Sequence, residues 1–380
     1  MKKEAKLLKM NADLLESLYK KFWMKLGASE EHAKAFARGI SMGDRQGKLF
    51  QGMGVMEAAL IPVEGGIGDL TTEPELLSEG PTWAVYDGHR STGYYTITKM
   101  AEKAIEKAKE YGMAIAFGHN HIDAGSFFTY TSLALEHDMV AMASNNSLPL
   151  SAPFGGMDFA MSVPPFDAAC PAGEQLPLVV STKLCEGYDA DITEALLKDG
   201  KLKGKLLVDP ETGELTDDVR PHSKLIEGYG RVSDCSAPWI FSNPRLYSLN
   251  IWNEFMTAII NPHGIVSSDL PSQPSDYFKP DAPTPVGGSY IIVIDPSKFG
   301  PLANVKEKSD RYINAIKGCK KRPGVKEIYT PDEWGLEKVY RQESPMVDVM
   351  EDHLNAFKGF LDKYELSYDA LVEEWEKENK

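Results

Sequence analysis

Near the N-terminus, apolar residues recur every three or four positions, the spacing of a helix with one buried face. Leu14, Leu15, Leu18, Phe22 and Leu26 share such a face, with Asn11 placed to cap the helix and Gly27 to stop it. Ser29 can cap a second helix, which carries Ala33, Phe36, Ala37 and Ile40 together. From Gly43 to Gly54 the pattern breaks into GDRQGKLFQGMG, a glycine-rich polar stretch that predicts a loop or a broken helix. Beyond it the period changes. WAVYDG predicts a strand ending in a turn, YTITKMAEKAIEKAKEYG an amphipathic helix closed by Gly112, and AIAFG a second strand. A histidine-bearing loop and a helix from Phe128 to His137 follow. Such strand–helix alternation predicts an α/β fold.

Further on, MVAMAS, FAMSV and LPLVVS read as short strands separated by turns, which implies hairpin-type pairing. DITEALLKDGKL is helical and VDPETGEL is a turn. Residues 218–245 are irregular, with Pro, Gly, Ser and Trp interleaved. LYSLNIWNEFMTAII predicts a mostly apolar helix, SYIIVID a buried strand, and two further helices close the chain. No internal repeat or low-complexity segment interrupts this order.

Composition narrows the function classes. With 380 residues the chain can bury a large core, and two domains are expected. A net charge of −15 argues against a general basic surface for nucleic acid or an anionic membrane. It leaves room for a small anionic substrate, since two or three cations can dominate one cleft. The four cysteines are scattered without a C-x-x-C pattern, which fits reduced thiols and a cytoplasmic location. The start, MKKEAKLLKMNADLLESLYKKF, is basic but never uninterruptedly apolar, so no signal peptide is expected. No apolar run reaches the ~18 residues of a membrane span.

Candidate chemistry begins at AFGHNHIDAG, which sets His119 two residues before His121. An H-x-H pair can hold a metal, with Asp123 adding an oxygen, but no third firm ligand is evident and no metal is expected. The other reading is a loop whose histidines bond backbone carbonyls. Asp44, Arg45, Gln46 and Lys48 form a polar cluster that is either solvated surface or a grip for a carboxylate. Neither a GxGxxG after a strand nor a P-loop occurs, so a Rossmann or Walker nucleotide site has no support.

The order of segments resembles the type 2 malate/L-lactate dehydrogenase family, which includes ureidoglycolate dehydrogenase, diketogulonate reductase, sulfolactate dehydrogenase and piperideine-carboxylate reductase. The likeness runs through nearly the whole chain. YDGHRSTGYYTITKMAEKAIEKAKEYGMAIAFGHNH resembles the family's strand, helix and strand leading into an Asn-His loop. NNSLPLSAPFGGMDFAMSVPPFDAACPAG, VDPETGELTDD and SYIIVIDPSKF resemble its later blocks. The resemblance implies a non-Rossmann, largely antiparallel cofactor-type domain over residues 116–245. It also implies a helix-rich dimerisation domain over 1–115 and 246–380. It further implies NAD or NADP as cofactor, a homodimer, and hydride transfer at the carbon beside a carboxylate, with a histidine exchanging the proton and an aspartate supporting it.

The departures concentrate on that chemistry. Counting from Gly47, the family's serine and histidine fall on Arg45 and Gln46, and its arginine on Phe50. The aspartate falls on Ser181 in VVSTKLC. The cofactor loop reads Ser162-Val163-Pro164-Pro165, and the lysine–glycine–tyrosine–glycine motif reads Arg245-Leu246-Tyr247-Ser248. A neutral amide cannot trade protons near neutral pH, so Gln46 cannot replace an imidazole.

What remains defines the candidate site. His121, Lys183, Arg45, Gln46 and Lys48 are the candidates at the reacting centre. Asn120, His121, Ser147, Phe154, Gly155, Gly156, Ser181 and Arg245 are those for the cofactor. Gly155 and Gly156 either let a backbone approach a phosphate or serve a tight turn. Cys185 reads as a small buried hydrophobe, and Tyr94 and Tyr95 as packing residues. Lys48, Arg45 and Lys183 are expected to converge as a basic cluster facing His121 and an anionic ligand. The function so implied is an NAD(P)H-dependent oxidoreductase acting on a 2-hydroxy acid, 2-oxo acid or cyclic imine with an altered proton donor. The alternatives are a non-redox lyase or isomerase in the same cleft, and a catalytically silent binding protein.

Overall fold

The computed structural model describes residues 6–225, 232–273 and 282–379. It opens with a strand, β1 (Leu7–Asn11), and two helices, α1 (Ala12–Lys25) and α2 (Glu30–Gln46). Both helix starts follow the sequence: Asn11 Oδ1 accepts from the Asp13 and Leu14 N–H groups, and Ser29 Oγ accepts from that of His32. α2 runs further than its glycines predict. A Cβ on Gly39 would lie 2.3 Å from the Tyr94 ring, and one on Gly43 would lie 2.2 Å from the Gln51 carbonyl oxygen. Glycine serves close packing there, and the helix stops only at Gly47, where φ reaches 70°. The loop expected from Gly43 therefore begins at Gly47.

Next come α3 (Met56–Glu64), β2 (Glu75–Gly80), β3 (Trp83–Asp87), α4 (Gly93–Tyr111), β4 (Met113–His119) and α5 (Phe128–Leu135). A strand-rich stretch follows: β5 (Val140–Asn145), β6 (Pro149–Ser151), β7 (Met161–Ser162), β8 (Pro165–Cys170) and β9 (Leu178–Lys183). Then α6 (Asp189–Leu197) precedes the short strands β10 (Leu207–Val208), β11 (Leu215–Thr216), β12 (Ser223–Leu225) and β13 (Val232–Cys235). The stretch expected to be irregular thus holds the paired β12 and β13, with residues 226–231 of it outside the described residues. The C-terminal part comprises α7 (Pro244–Glu254), β14 (Ser289–Ile294), α8 (Leu302–Lys317), α9 (Glu333–Tyr340), β15 (Met346–Met350), α10 (Glu351–Lys363) and α11 (Tyr368–Glu378). Among the described residues four α-helices follow β14, not the two expected, because α9 is short and α10 starts directly from a strand.

Seven strands form the main sheet in the order β2-β3-β4-β14-β5-β8-β9. Within it, only the β3–β4 junction is parallel. β14 lies between β4 and β5, with Ile291 opposite both Ala116 and Ala143. The expected domain boundary at 115/116 falls inside β4, and β14 comes from the other side of the 245/246 boundary. The sheet therefore takes strands from both expected domains. α4 lies across it, with Ile97, Met100, Ala104 and Ala108 packed on Ala84, Ala114, Ala116, Ala143 and Val293. So many alanines let helix and sheet approach closely. A second core joins α1, α2 and α10 through Leu15, Leu18, Phe22, Trp23, Phe36, Phe357 and Leu361. β1 pairs antiparallel with β15 and ties the two chain ends together. Among the described residues, no helix is long and apolar enough to cross a membrane.

Two buried polar groups fix this frame around the site. Asp44, near the end of α2, accepts from the Tyr19 hydroxyl (2.7 Å) and from the Met53 N–H (2.8 Å). It thereby clamps the loop from Gly47 to Met53 against the helices. Burial pushes its carboxyl up to about 7 despite those two bonds. His32 is fully buried between the Leu70 carbonyl (3.2 Å) and the Thr92 hydroxyl (2.7 Å), stacked on Tyr95. Burial pulls its imidazole down to about 4.

Asp44→Ala should cost ~1–3 kcal/mol, the range for leaving buried donors unpaired, and should make the 47–53 loop a site of limited proteolysis. Urea unfolding and protease mapping read both effects. For His32 the folded imidazole titrates lower than the unfolded one, so its contribution to stability is complete above about pH 6.5. That contribution is lost as pH falls toward 4. His32→Gln should flatten this part of the stability–pH curve; a slope identical to the parent's would refute the assignment.

Candidate active site

A cleft of about 710 Å³ opens where several segments converge. They are the loop after α2, the loop after β4, the ends of β5 and β9, the start of β8, the start of α6, and Asp332 just before α9. Phe50, Val55, Leu148, Val163 and Phe166 give it apolar walls, while Lys48, Lys183, Asp123, Asp189, Asp332, Ser147 and Ser181 bring polar groups to it.

The charged part has a definite geometry. Lys48 Nζ stands 3.2 Å from Asp332 Oδ1, with the two side chains only 18% and 12% exposed. The other oxygen, Asp332 Oδ2, accepts from the backbone N–H of Ser181 at 3.0 Å. Behind them Asp167, the register partner of Ser181 across β8 and β9, is fully buried and accepts from the Thr131 hydroxyl. Burial pushes the Asp167 carboxyl up to about 7, against the hydroxyls of Thr131 and Ser181 and the Lys48 charge, which lower it. On the far wall Lys183 Nζ lies 2.6 Å from Asp191 Oδ2 and 4.4 Å above the centre of the Tyr188 ring.

The three cations do not converge as expected. Arg45 points away from this cleft, toward Asp13 (2.6 Å), Ser41 (3.1 Å) and Glu16 (3.4 Å), beside a separate depression shared with Lys338. The cleft itself sets two lysines among three aspartates. Its positive charge is compensated by the protein's own carboxylates, so an anionic ligand is not required to balance it.

Gln46 is fully buried, and neither atom of its amide has a hydrogen-bond partner among the described residues. It packs beneath α9, where Gly335 leaves room for its side chain. His121, expected beside the cofactor, is also fully buried. Its Nδ1 lies 2.8 Å from the Ile122 carbonyl and its Nε2 2.7 Å from the Ser289 hydroxyl. A carbonyl only accepts, so Nδ1 carries the proton and Nε2 accepts from Ser289. Burial pulls this imidazole down to about 4 and keeps it neutral. Both ring nitrogens serve the fold, which corrects the expectation that His121 faces a ligand.

Asn120 adopts φ 53° and its amide donates to Asp87 Oδ1 at 2.8 Å. His119 stacks on His263 at 4.7 Å between ring centres, with Nε2 3.6 Å from Asp87 Oδ2. Among the described residues no cluster of three or more His, Cys, Asp or Glu has the form of a metal site. Of the other cofactor candidates, Ser147 and Ser181 line the cleft, whereas Phe154, Gly155, Gly156 and Arg245 do not. Gly155 sits at φ 81° with nothing within 4 Å of where a Cβ would stand, as a tight turn requires. Arg245 is exposed in the first turn of α7, which Asn243 caps. Cys185 is buried against the Gly187 carbonyl and its thiol is pushed up to about 12, so it packs rather than reacts. Sequence reasoning missed Asp332 and Asp167. Asp332 was legible only as a residue ahead of a short helix, and nothing in its spacing linked it to positions 48 and 181.

Comparison with known proteins agrees with the fold. The family model described as malate/L-lactate dehydrogenase matches residues 10–358. The chain is 26% identical over 344 residues to malate dehydrogenase of Pyrococcus horikoshii, covering 87% of this chain and 88% of the relative. It is 27% identical over 311 residues to L-sulfolactate dehydrogenase of Methanocaldococcus jannaschii, covering 81% and 84%. The solved structure of malate dehydrogenase from Entamoeba histolytica superposes with a TM-score of 0.82 at 19% identity, over 95% of this chain and 99% of that one. With a match spanning almost its full length, and with the mainly antiparallel sheet in place, the chain belongs to the malate/L-lactate dehydrogenase family.

Proposed function

We propose that the protein is an NAD(P)H-dependent oxidoreductase acting on a small carboxylate-bearing compound, a 2-hydroxy or 2-oxo acid or a cyclic imine. The observation that carries this reading is the one cleft into which both Lys48 and Lys183 project over an apolar floor, in a chain whose relatives include malate and sulfolactate dehydrogenases. A volume of about 710 Å³ lies within the usual range for cofactor sites. Phe50, Leu148, Val163 and Phe166 suit an aromatic ring, and the hydroxyls of Ser147 and Ser181 suit a ribose, so the residues present fit a dinucleotide. When bound, its nicotinamide exchanges a hydride with the carbon bearing the substrate's oxygen or nitrogen.

The chain's own residues then divide the remaining work. Lys183, held between Asp191 and the Tyr188 ring, keeps N–H donors for a substrate carboxylate. The apolar walls exclude water and strengthen that contact. Orientation of the substrate is worth most here, since hydride transfer depends on the geometry of the reacting carbon. The dimer that the family resemblance implies belongs to the same proposal, and the exposed apolar side chains Leu249, Phe255, Ile259 and Ile260 on and just after α7 support it.

Titration with NADH and NADPH, followed by ligand fluorescence, should show saturable binding of at least one. Binding of a 2-oxo acid with neither dinucleotide bound would instead favour the lyase, isomerase or binding-protein readings. Lys183→Ala should raise KM about 10- to 100-fold, the scale of one charge-assisted hydrogen bond, with a smaller change in kcat. Arg45→Ala should leave KM unchanged, because its guanidinium is tied to Asp13 and Glu16 outside the cleft. Equal effects of the two substitutions would refute this division. Sedimentation at micromolar concentration should show a dimer; a monomer there would remove that part of the proposal.

A further inference from the structure

We infer that Lys48 is the group that exchanges the reaction's proton, and that Asp332 is the carboxylate that positions it, in place of the imidazole and aspartate that the resemblance leads one to expect at positions 46 and 181. The inference rests on the oxidoreductase reading and names the proton route that this reading leaves open.

Three observations carry it. First, Asp332 delivers a carboxylate to the place where one is missing. Its Oδ2 is bound to the backbone N–H of Ser181, and its Oδ1 faces Lys48 Nζ at 3.2 Å. A carboxylate from just before α9 thus stands at the end of β9, though β9 supplies only serine there.

Second, the Asp332 side chain is directed into the cleft and not to the helix it precedes. An aspartate ahead of a helix ordinarily caps it, but the Asp332 side chain makes no cap bond to α9. Its backbone sits at φ 57°, in the left-handed region that aspartate adopts more readily than most residues, and this turns the side chain to Ser181 and Lys48 instead of to the helix start.

Third, Lys48 is fixed from its backbone outward. Its N–H donates to the Gly43 carbonyl at 2.9 Å, and its own carbonyl accepts from Gln51 (2.8 Å) and Gly52 (3.0 Å). The Asp44 clamp then locks that turn to α2. The ammonium accordingly enters the cleft from a rigid base. The other charged groups around it are Asp167 from β8, Asp123 from the loop after β4, Lys183 from β9 and Asp189 from α6. Among the described residues, Asp332 is the carboxylate that forms an ion pair with Lys48.

In the reducing direction a bound reduced nicotinamide would supply the hydride to the substrate's carbonyl carbon, and the C=O π pair would move onto oxygen. That oxygen forms an O–H bond with a proton from Lys48 Nζ, whose N–H bond breaks to leave a neutral amine. Solvent returns the proton to the amine. The sum is oxo acid, NAD(P)H and one proton giving hydroxy acid and NAD(P)⁺, and oxidation reverses each step.

The test compares the parent with Lys48→Ala, Lys48→Arg and Asp332→Asn, each first checked for an unchanged melting profile and for NADH and NADPH binding. Lys48→Ala should lose ~100- to 10,000-fold in kcat, the usual contribution of a positioned acid, while dinucleotide affinity stays within about twofold. Methylamine should restore part of that loss in proportion to its concentration. Lys48→Arg keeps the charge but cannot release a proton, so it should remain as impaired as Lys48→Ala. Asp332→Asn should move the alkaline limb of the kcat profile for reduction to lower pH. In the same variant without cofactor, acetic anhydride should acylate Lys48 at lower pH than in the parent, as read by mass spectrometry of the Lys48 peptide. A fully active Lys48→Arg or Lys48→Ala, or unchanged Lys48 acylation in Asp332→Asn, would overturn the inference while leaving the oxidoreductase reading intact. A parent that binds neither dinucleotide would overturn that reading, and the proton route with it.

Discussion

The pairing of β14 between β4 and β5 is the constraint on which the rest of the structure depends. Its six residues meet one neighbour from positions 113–118 and another from 140–145, joining segments far apart in the chain. Ile291 and Val293 are fully buried, so a slip of one residue would turn these side chains out of the core. The same strand begins with Ser289, whose hydroxyl bonds His121. A loop that the sequence marks as chemical is thereby pinned to the end of the sheet's central strands. With β4, β14 and β5 fixed, β8 and β9 are added in register, and the end of β9 becomes one rim of the cleft.

A second constraint acts on the other rim. The loop after α2 reaches the core only at its far end, through Met53, and leaves Phe50 exposed. Its shape comes instead from a buried carboxylate, Asp44, which satisfies the Met53 N–H and the Tyr19 hydroxyl together. Gly52 reinforces this, since a Cβ there would fall 1.9 Å from Asp44 Oδ1. Lys48 rides on this loop. Desolvating its ammonium would be unfavourable without a partner, and Asp332 supplies one from the C-terminal third of the chain. Packing, loop geometry and charge pairing thus converge on one small region.

The scaffold and the cleft are set by different groups of residues in this molecule. The sheet order, the α4 packing and the long matches to relatives show a scaffold kept as a whole. Gln46 and His121 both lie sealed in the interior, one without polar partners among the described residues and one fully bonded to the fold. The cleft takes its polar groups from elsewhere, among them Lys48, Lys183 and Asp332. The strands and helices are held mainly by apolar contacts, to which the charged residues of the cleft do not contribute.

Taken alone, the sequence determined the elements whose signals are local. The caps at Asn11 and Ser29, the amphipathic α4 with its Gly112 stop, the apolar β14 and the α/β character all follow from periodicity and end residues within a few positions. Segment order was enough to recognise the family. Only the tertiary structure decided which way polar side chains face. Periodicity says which face of a helix is apolar, but Arg45 lies on α2 within reach of Asp13 and Glu16 of α1, and that proximity exists only once the two helices pack. The Lys48–Asp332 pair was equally illegible, because its partners are separated by most of the chain and neither carries a spacing signal. A charge in a cleft is held by whatever group the fold brings to it, and that group is set by long-range packing rather than by its neighbours in sequence.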